Sequence, residues 1–162
     1  MQYCQTFLIL PSVHQIGHSP PKMKKNKLII EYEFDFELFG MATAIKGYKL
    51  AWEINRILGI NLIKKDDLKV GVKKNLEVDF LHYAFETRLN RLKLFKNKPL
   101  DSESGKYFLI PEFPHFDFIL LTQMEEQSQK SNIPELLKQI PAVEYVAAIP
   151  VEGLKSKVNF VF

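Results

Sequence analysis

Glu112, His115 and Asp117 lie close together in the stretch IPEFPHFDF, residues 110–118. A histidine between two carboxylates at a proline bend can transfer protons or hold a metal ion. The stretch supplies no nucleophile, no glycine-rich phosphate loop and no third ligand at a recognised metal spacing. We therefore predict no catalytic residue, no metal site and no cofactor, and we favour a structural role for these residues.

The same pattern occurs twice, at 114–119 and 141–146: proline, any residue, apolar residue, acid, aromatic residue, β-branched residue. Proline blocks extension of the preceding segment, and alternation then predicts a strand. The apolar and aromatic positions are expected to face inward, namely Phe116, Phe118, Val143 and Tyr145. The acids are expected on the solvent side of one sheet, namely Asp35, Asp117 and Glu144.

A basic stretch, RLNRLKLFKNK at 88–98, contains no acid. In a strand, Arg91, Lys93 and Phe95 would share one face, and basic residues beside an aromatic ring on an open sheet can hold single-stranded nucleic acid. The alternative is an edge hairpin kept soluble by its lysines. The candidate nucleic-acid contacts are Arg88, Arg91, Lys93, Phe95, Lys96 and Lys98.

Hydrophobic periodicity predicts the elements that would position these residues. Residues 48–59 have apolar positions on one helical face and end at Gly59, a typical helix stop; Trp52, at the border of that face, is expected in the core. A second helix is predicted over 132–140, beginning at Asn132. Strands are predicted at 27–34, 76–87, 91–97, 116–123 and 142–151, and the tail at 154–162 is expected to pack as an edge strand.

The order of these elements predicts an α+β fold, because most neighbouring strands are joined by hairpin-like connections. We expect a mainly antiparallel sheet packed by two helices on one face. A ferredoxin-like core with added strands is the topology that this order favours.

The composition is that of one globular domain: 162 residues, 46% hydrophobic, 25% charged and a net charge of +3. The single cysteine, Cys4, favours a reducing, cytoplasmic setting. No apolar run approaches the roughly 20 residues of a membrane span, so no membrane is expected as a partner. Residues 1–22 lack the features of a signal peptide. We expect a disordered extension there, hypothesise that translation starts at Met23, and place the folded domain at 23–162.

Around the IPEFPHFDF stretch the chain resembles the bacterial IPExxxVDY family, with phenylalanine where that pattern has valine and tyrosine. The stretches FDFELFGMATAIKGYKLAWEINRILGI and LKSKVNFVF are similar to the family as well, so the resemblance runs from about Met23 to Phe162. It implies membership of a family with no established activity, cofactor or catalytic residue. The motif positions are Ile110, Pro111, Glu112, Phe116, Asp117 and Phe118.

Three functions remain open on the sequence. The favoured one is a non-enzymatic protein-binding or accessory module, with an unidentified protein partner bound by the exposed face of helix 48–58 or by the edge hairpin. The alternative is an RNA- or ribosome-associated factor that binds through residues 88–98. The third is a small-molecule-binding domain or enzyme built around Glu112 and His115.

Overall fold

The computed structural model describes residues 34–101, 104–125 and 132–161. All of them belong to the compact unit Glu33–Phe162. The predicted extension 1–22, the hypothesis of a start at Met23 and nearly all of the predicted strand 27–34 concern residues outside the described ranges.

The described residues form eight strands, two α-helices and one 3₁₀ helix. In chain order the elements are β1 (Glu37–Ala42), α1 (Gly47–Leu58), β2 (Ile63–Lys64), β3 (Leu68–Lys73), β4 (Leu76–Phe80), β5 (His82–Glu86), β6 (Asn90–Lys96), β7 (Phe118–Met124), α2 (Ile133–Leu137), β8 (Tyr145–Ile149) and a 3₁₀ helix (Lys155–Phe160). Six strands form one sheet in the order β2-β5-β6-β7-β1-β8, and every neighbouring pair is antiparallel. β3 and β4 form a separate antiparallel hairpin.

The strand order confirms the predicted α+β class with a mainly antiparallel sheet. Strands β6, β7, β1 and β8 are adjacent in that order, with α1 between β1 and β6 in the chain and α2 between β7 and β8. This is the arrangement of a ferredoxin-like core. β5 and β2 are the added strands, and they extend the sheet beyond β6.

Helix α1 forms where the apolar periodicity predicts it. Leu50, Ala51 and Ile54 are buried on the face that packs on the sheet. Gly59 ends the helix with φ of 64°, a left-handed conformation that glycine adopts without a Cβ penalty. The side chain of Asn55 then fixes the following turn, because its amide accepts from the backbone N–H of Leu62 (2.6 Å) and donates to the Leu62 carbonyl (3.2 Å).

Helices α1 and α2 both pack on one face of the sheet, as predicted. The opposite face is covered as well, so it is not the solvent side on which the acids were expected. One core contains residues of α1, α2 and the sheet face beneath them, including Met41, Leu50 and Leu120. The second core lies on the other face and includes Phe80 of the β3–β4 hairpin and Phe160 of the 3₁₀ helix. Asp35 and Glu144 are exposed, as expected, whereas Asp117 is only partly accessible.

Three further predictions are wrong, and each depends on how distant segments pair with the sheet or cover it. The predicted strand 76–87 breaks at Leu81, because β4 pairs with β3 while β5 pairs with β6. The tail forms the 3₁₀ helix instead of an edge strand, and its Phe160 packs edge-on against Phe95. Tyr145, expected to face inward, is 56% exposed because β8 is an edge strand of the described sheet.

Candidate functional site

The stretch IPEFPHFDF is held in place by one buried side chain, that of Asn97. Its Oδ1 accepts from the backbone N–H of Ile110 (2.8 Å). Its Nδ2 donates to the carbonyls of Phe113 (3.0 Å) and Phe116 (2.9 Å). Asn97 is fully buried, and buried amides of this kind specify a backbone path because unpaired polar groups are costly. No local sequence pattern marks Asn97 for this role.

Glu112, the acid of the IPE motif, stabilises the start of the 3₁₀ helix. Its Oε1 accepts from the backbone N–H groups of Lys155 (2.8 Å) and Ser156 (3.0 Å). Partial burial of the carboxyl acts to raise its pKa, but the hydrogen bonds it accepts outweigh burial, and the pKa of Glu112 lies below its usual value. The motif glutamate thus ties the segment to a helix more than forty residues later in the chain.

Asp117 joins the same segment to the end of β1. Its Oδ2 accepts from the backbone N–H of Thr43 (3.0 Å), and its Oδ1 lies 3.2 Å from Nζ of Lys98. Its own N–H donates to the Met41 carbonyl (2.9 Å). The hydroxyl of Thr43 also donates a hydrogen bond to the carbonyl of Ala142 (2.5 Å). Thr43 therefore connects the residues that precede β7 with those that precede β8.

The structure does not bring Glu112, His115 and Asp117 into one hydrogen-bonded group. Glu112 and Asp117 bind different parts of the backbone. His115 is exposed and packs its ring on Phe116, with ring centroids 4.2 Å apart. Within the described ranges, no group of three or more histidine, cysteine, aspartate or glutamate side chains is placed to hold a metal ion.

The apolar positions of the motif are divided between the two cores: Ile110 and Phe116 lie in the second core and Phe118 in the first. Ile110, Phe116 and Phe118 are buried, while Pro111 is exposed at the turn. Phe116 lies directly over Gly40 of β1, where a Cβ would come within 2.3 Å of the ring. The glycine therefore permits the close contact of this segment with the sheet.

The basic stretch does not form an open face. β6 lies between β5 and β7, so it is an interior strand and not part of an edge hairpin. Phe95 is fully buried, and Lys93 is 7% exposed with its Nζ 3.3 Å from Oε1 of Glu86. The prediction that Arg91, Lys93 and Phe95 share an accessible face is wrong, because the second core covers the aromatic end of that face.

The other basic candidates are dispersed around this strand. Arg88 is exposed in the turn before β6, and Arg91 lies 3.5 Å from Glu86. Lys96 is partly buried at the opposite end of the strand, and Lys98 pairs with Asp117 as described above.

His82 of β5 lies against the buried ring of Phe95, with ring centroids 4.8 Å apart and nearly parallel planes. Its Nδ1 lies 3.4 Å from the Asp66 carbonyl, and its Nε2 is buried without a hydrogen-bond partner among the described residues. Burial lowers the pKa of His82, and the nearby Lys93 adds to that effect.

The most exposed aromatic pair of the described chain lies on α1. Tyr48 is 63% exposed and Trp52 is 60% exposed. The prediction that Trp52 packs in the core is wrong, because it lies on the helix face opposite Leu50 and Ile54. The sequence carried a signal for this, since Trp52 is four residues from both Tyr48 and Arg56 and therefore shares their side of the helix.

Tyr48, Trp52 and Arg56 together form what we call the α1 ridge. The Arg56 guanidinium carbon lies 5.9 Å from the Trp52 ring centroid, within cation–π range. The same guanidinium donates to Oε2 of Glu53 through Nη2 (2.8 Å) and Nε (3.2 Å). Lys49 is exposed beside the ridge. The ridge is thus a row of two aromatic rings and one oriented cation, flanked by one acid and one lysine.

Comparison with known proteins adds no family to this description. No family model matches the chain, and no curated protein matches its sequence. In the part of the chain that the structure describes, no helix is both long and apolar enough to cross a membrane. Fold and site together define an α+β domain of ferredoxin-like core with an exposed aromatic helix face.

Proposed function

We propose that this protein is a non-enzymatic protein-binding or accessory module whose binding surface is the α1 ridge. The observation that carries the proposal is the exposure of Tyr48 and Trp52, at 63% and 60%, on one stripe of a helix whose opposite face is fully packed. Neither ring is needed to fill the core beneath α1, because Leu50, Ala51 and Ile54 do so.

The residue types of the ridge support this function. Tryptophan, tyrosine and arginine are enriched among the side chains that dominate binding energy at protein interfaces. Aromatic rings supply a large contact area at a low entropic cost, and a cation held over a ring is already oriented for contact. Trp52 supplies such an exposed ring, and Arg56 is the cation held over it.

The bonds of the motif acids support a non-enzymatic role. Glu112 and Asp117 accept hydrogen bonds from the backbone groups of distant segments. A carboxylate used in this way has its lone pairs directed at fixed donors instead of at a substrate. We further propose that the chain is a cytoplasmic member of the IPExxxVDY family. In this protein the motif would connect the 3₁₀ helix, through Glu112, to the end of β1, through Asp117.

Site-specific photo-crosslinking tests the proposal. A photoreactive phenylalanine analogue is placed at position 52 and, as a matched control, at Val158, which is 61% exposed on the 3₁₀ helix. Irradiation in cells should give a discrete adduct from position 52 and none from position 158, in the presence or absence of nuclease, and mass spectrometry then identifies the adduct. No protein adduct at 52, or the same adducts at both positions, would contradict the proposal.

A further inference from the structure

The α1 ridge has a spacing that complements itself. Tyr48 lies four residues before Trp52 and Arg56 lies four residues after it. If two copies of α1 pack antiparallel about a two-fold axis at Trp52, each Tyr48 ring lies opposite the second copy's Arg56, and the two Trp52 rings meet at the axis. Such isologous contact, in which one surface binds itself, is the commonest basis of homodimers.

The charges beside the ridge match the same arrangement. Lys49 is exposed and has no ion pair among the described residues, while the Glu53 side chain is 18% exposed and is paired with Arg56 of its own helix. Lys49 lies three residues before the centre at Trp52 and Glu53 lies one residue after it. In the antiparallel pair, Lys49 of one copy and Glu53 of the other are therefore offset by two residues, or about 3 Å along the axis. Two-fold symmetry places the two groups in this relation twice.

We propose that a second copy of this chain docks on the α1 ridge, forming a two-fold symmetric dimer through antiparallel pairing of α1. This inference rests on the proposed function, because it names the partner of that same face. The exposed Lys49 attracts an anion, and the Arg56 guanidinium, whose side chain is 56% exposed, can pack on a second ring; Glu53 and Tyr48 of a second copy supply these two groups. The face carries both signs of charge, which favours self-pairing over a uniformly acidic partner.

Sedimentation velocity of the purified full chain over a dilution series tests the pairing. Trp52 is the only tryptophan of the protein, so its fluorescence should shift to shorter wavelength as the concentration rises and the dimer forms. Trp52→Ala should weaken association at least about thirtyfold, while Val158→Ala should leave it unchanged. A monomer at every concentration with unshifted tryptophan emission, or a dimer that survives Trp52→Ala, would overturn the inference.

A charge exchange distinguishes this pairing from other contacts. Lys49→Glu and Glu53→Lys should each weaken self-association about fivefold, because each places like charges together twice. Mixing the two variants should restore association, since both contacts between positions 49 and 53 in the mixed dimer then join a glutamate to a lysine. The variant that carries both substitutions should recover for the same reason. A mixture that associates no better than either variant alone would overturn the antiparallel register.

Failure of the dimer and failure of the proposed function give different results. If the protein is monomeric but position 52 forms an adduct with another protein, self-pairing is wrong and the binding function stands. If position 52 forms no adduct of any kind, the binding function itself is wrong. An adduct at 52 with the mass of two copies of this chain supports both.

Discussion

The segment IPEFPHFDF and the α1 ridge differ in how their polar side chains are used. In the segment, the side chains able to do acid–base chemistry, Glu112 and Asp117, are occupied by backbone groups of the same chain. On the ridge, two large rings lie exposed although nothing in the core requires them there. Reactive residue types therefore do not by themselves mark a functional surface; side chains left without a partner inside the fold mark it better.

The largest expected effect concerns Asn97, whose buried side chain we expect to hold the IPEFPHFDF segment in place. Asn97→Ala removes three hydrogen bonds at a fully buried position and leaves the partner groups unsatisfied. We expect it to lower the free energy of unfolding by about 3 kcal/mol, measured by urea denaturation. The matched control is Asn159→Ala, which removes one side-chain bond, to the Leu109 carbonyl, and should cost about 1 kcal/mol. Equal losses of unfolding free energy in the two variants would show that the hydrogen bonds of Asn97 contribute no more than a single side-chain bond.

Glu112 tests whether the motif acid acts as a cap. Glu112→Gln should lower the free energy of unfolding by about 0.5–1 kcal/mol at neutral pH, because the charged acceptor at the start of the 3₁₀ helix is lost. The folded-state pKa of Glu112 is below its ordinary value. The contribution is therefore present above the ordinary carboxyl pKa and is lost as the pH falls through the lower folded-state pKa.

The measurement is the pH dependence of chemical unfolding for the wild type and two variants. Glu112→Gln should have a flatter profile than the wild type on the acid side. The control is Glu144→Gln, at an exposed acid that makes no side-chain hydrogen bond among the described residues; its profile should follow the wild type. If both variants flatten the profile equally, the cap is not the source of the acid sensitivity.

Sequence patterns predicted what depends on local periodicity. The buried stripe of α1, its stop at Gly59 and the strand after Pro114 can be found from spacing alone, and the element order was enough for the α+β class. The position of β6 could not be found in this way, because pairing with both β5 and β7 depends on contacts between distant parts of the chain. The same holds for Asn97, whose partners lie 13 to 19 residues away.

Trp52 is a different kind of miss. Its helical position relative to Tyr48 and Arg56 placed it among polar neighbours, so periodicity already contradicted a core location. The hydrophobic character of tryptophan favours burial, but its angular position on the helix decides the outcome here. A large apolar residue on the polar stripe is better interpreted as a binding residue than as core.

His82 is expected to have a smaller effect, on the pH dependence of stability. Burial lowers its pKa in the folded state, so the folded protein binds a proton less readily than the unfolded chain. The stability is therefore complete above the ordinary histidine pKa of about 6.5 and declines as the pH falls below it. His82→Phe should reduce this decline and keep the ring contact with Phe95.

Unfolding free energies at pH 7 and pH 5 check the role of His82, and nuclear magnetic resonance titration of the imidazole gives the direction of its pKa. His115→Gln, at the exposed histidine, is the control and should leave the decline in place. A decline unaffected by His82→Phe would assign the pH sensitivity to other groups.

The smallest expected effect on stability is that of Trp52→Ala. This variant separates a binding residue of the α1 ridge from a structural residue such as Asn97. Because the ring is 60% exposed and absent from the core, its removal should change the free energy of unfolding by no more than about 0.5 kcal/mol. The same variant should lose the binding of the α1 ridge, whereas Asn97→Ala should lower stability and leave binding by the folded fraction intact. Thermal unfolding and sedimentation on both variants test this opposition; a large loss of stability in Trp52→Ala would make the tryptophan a structural residue and remove the main support for a binding surface on α1.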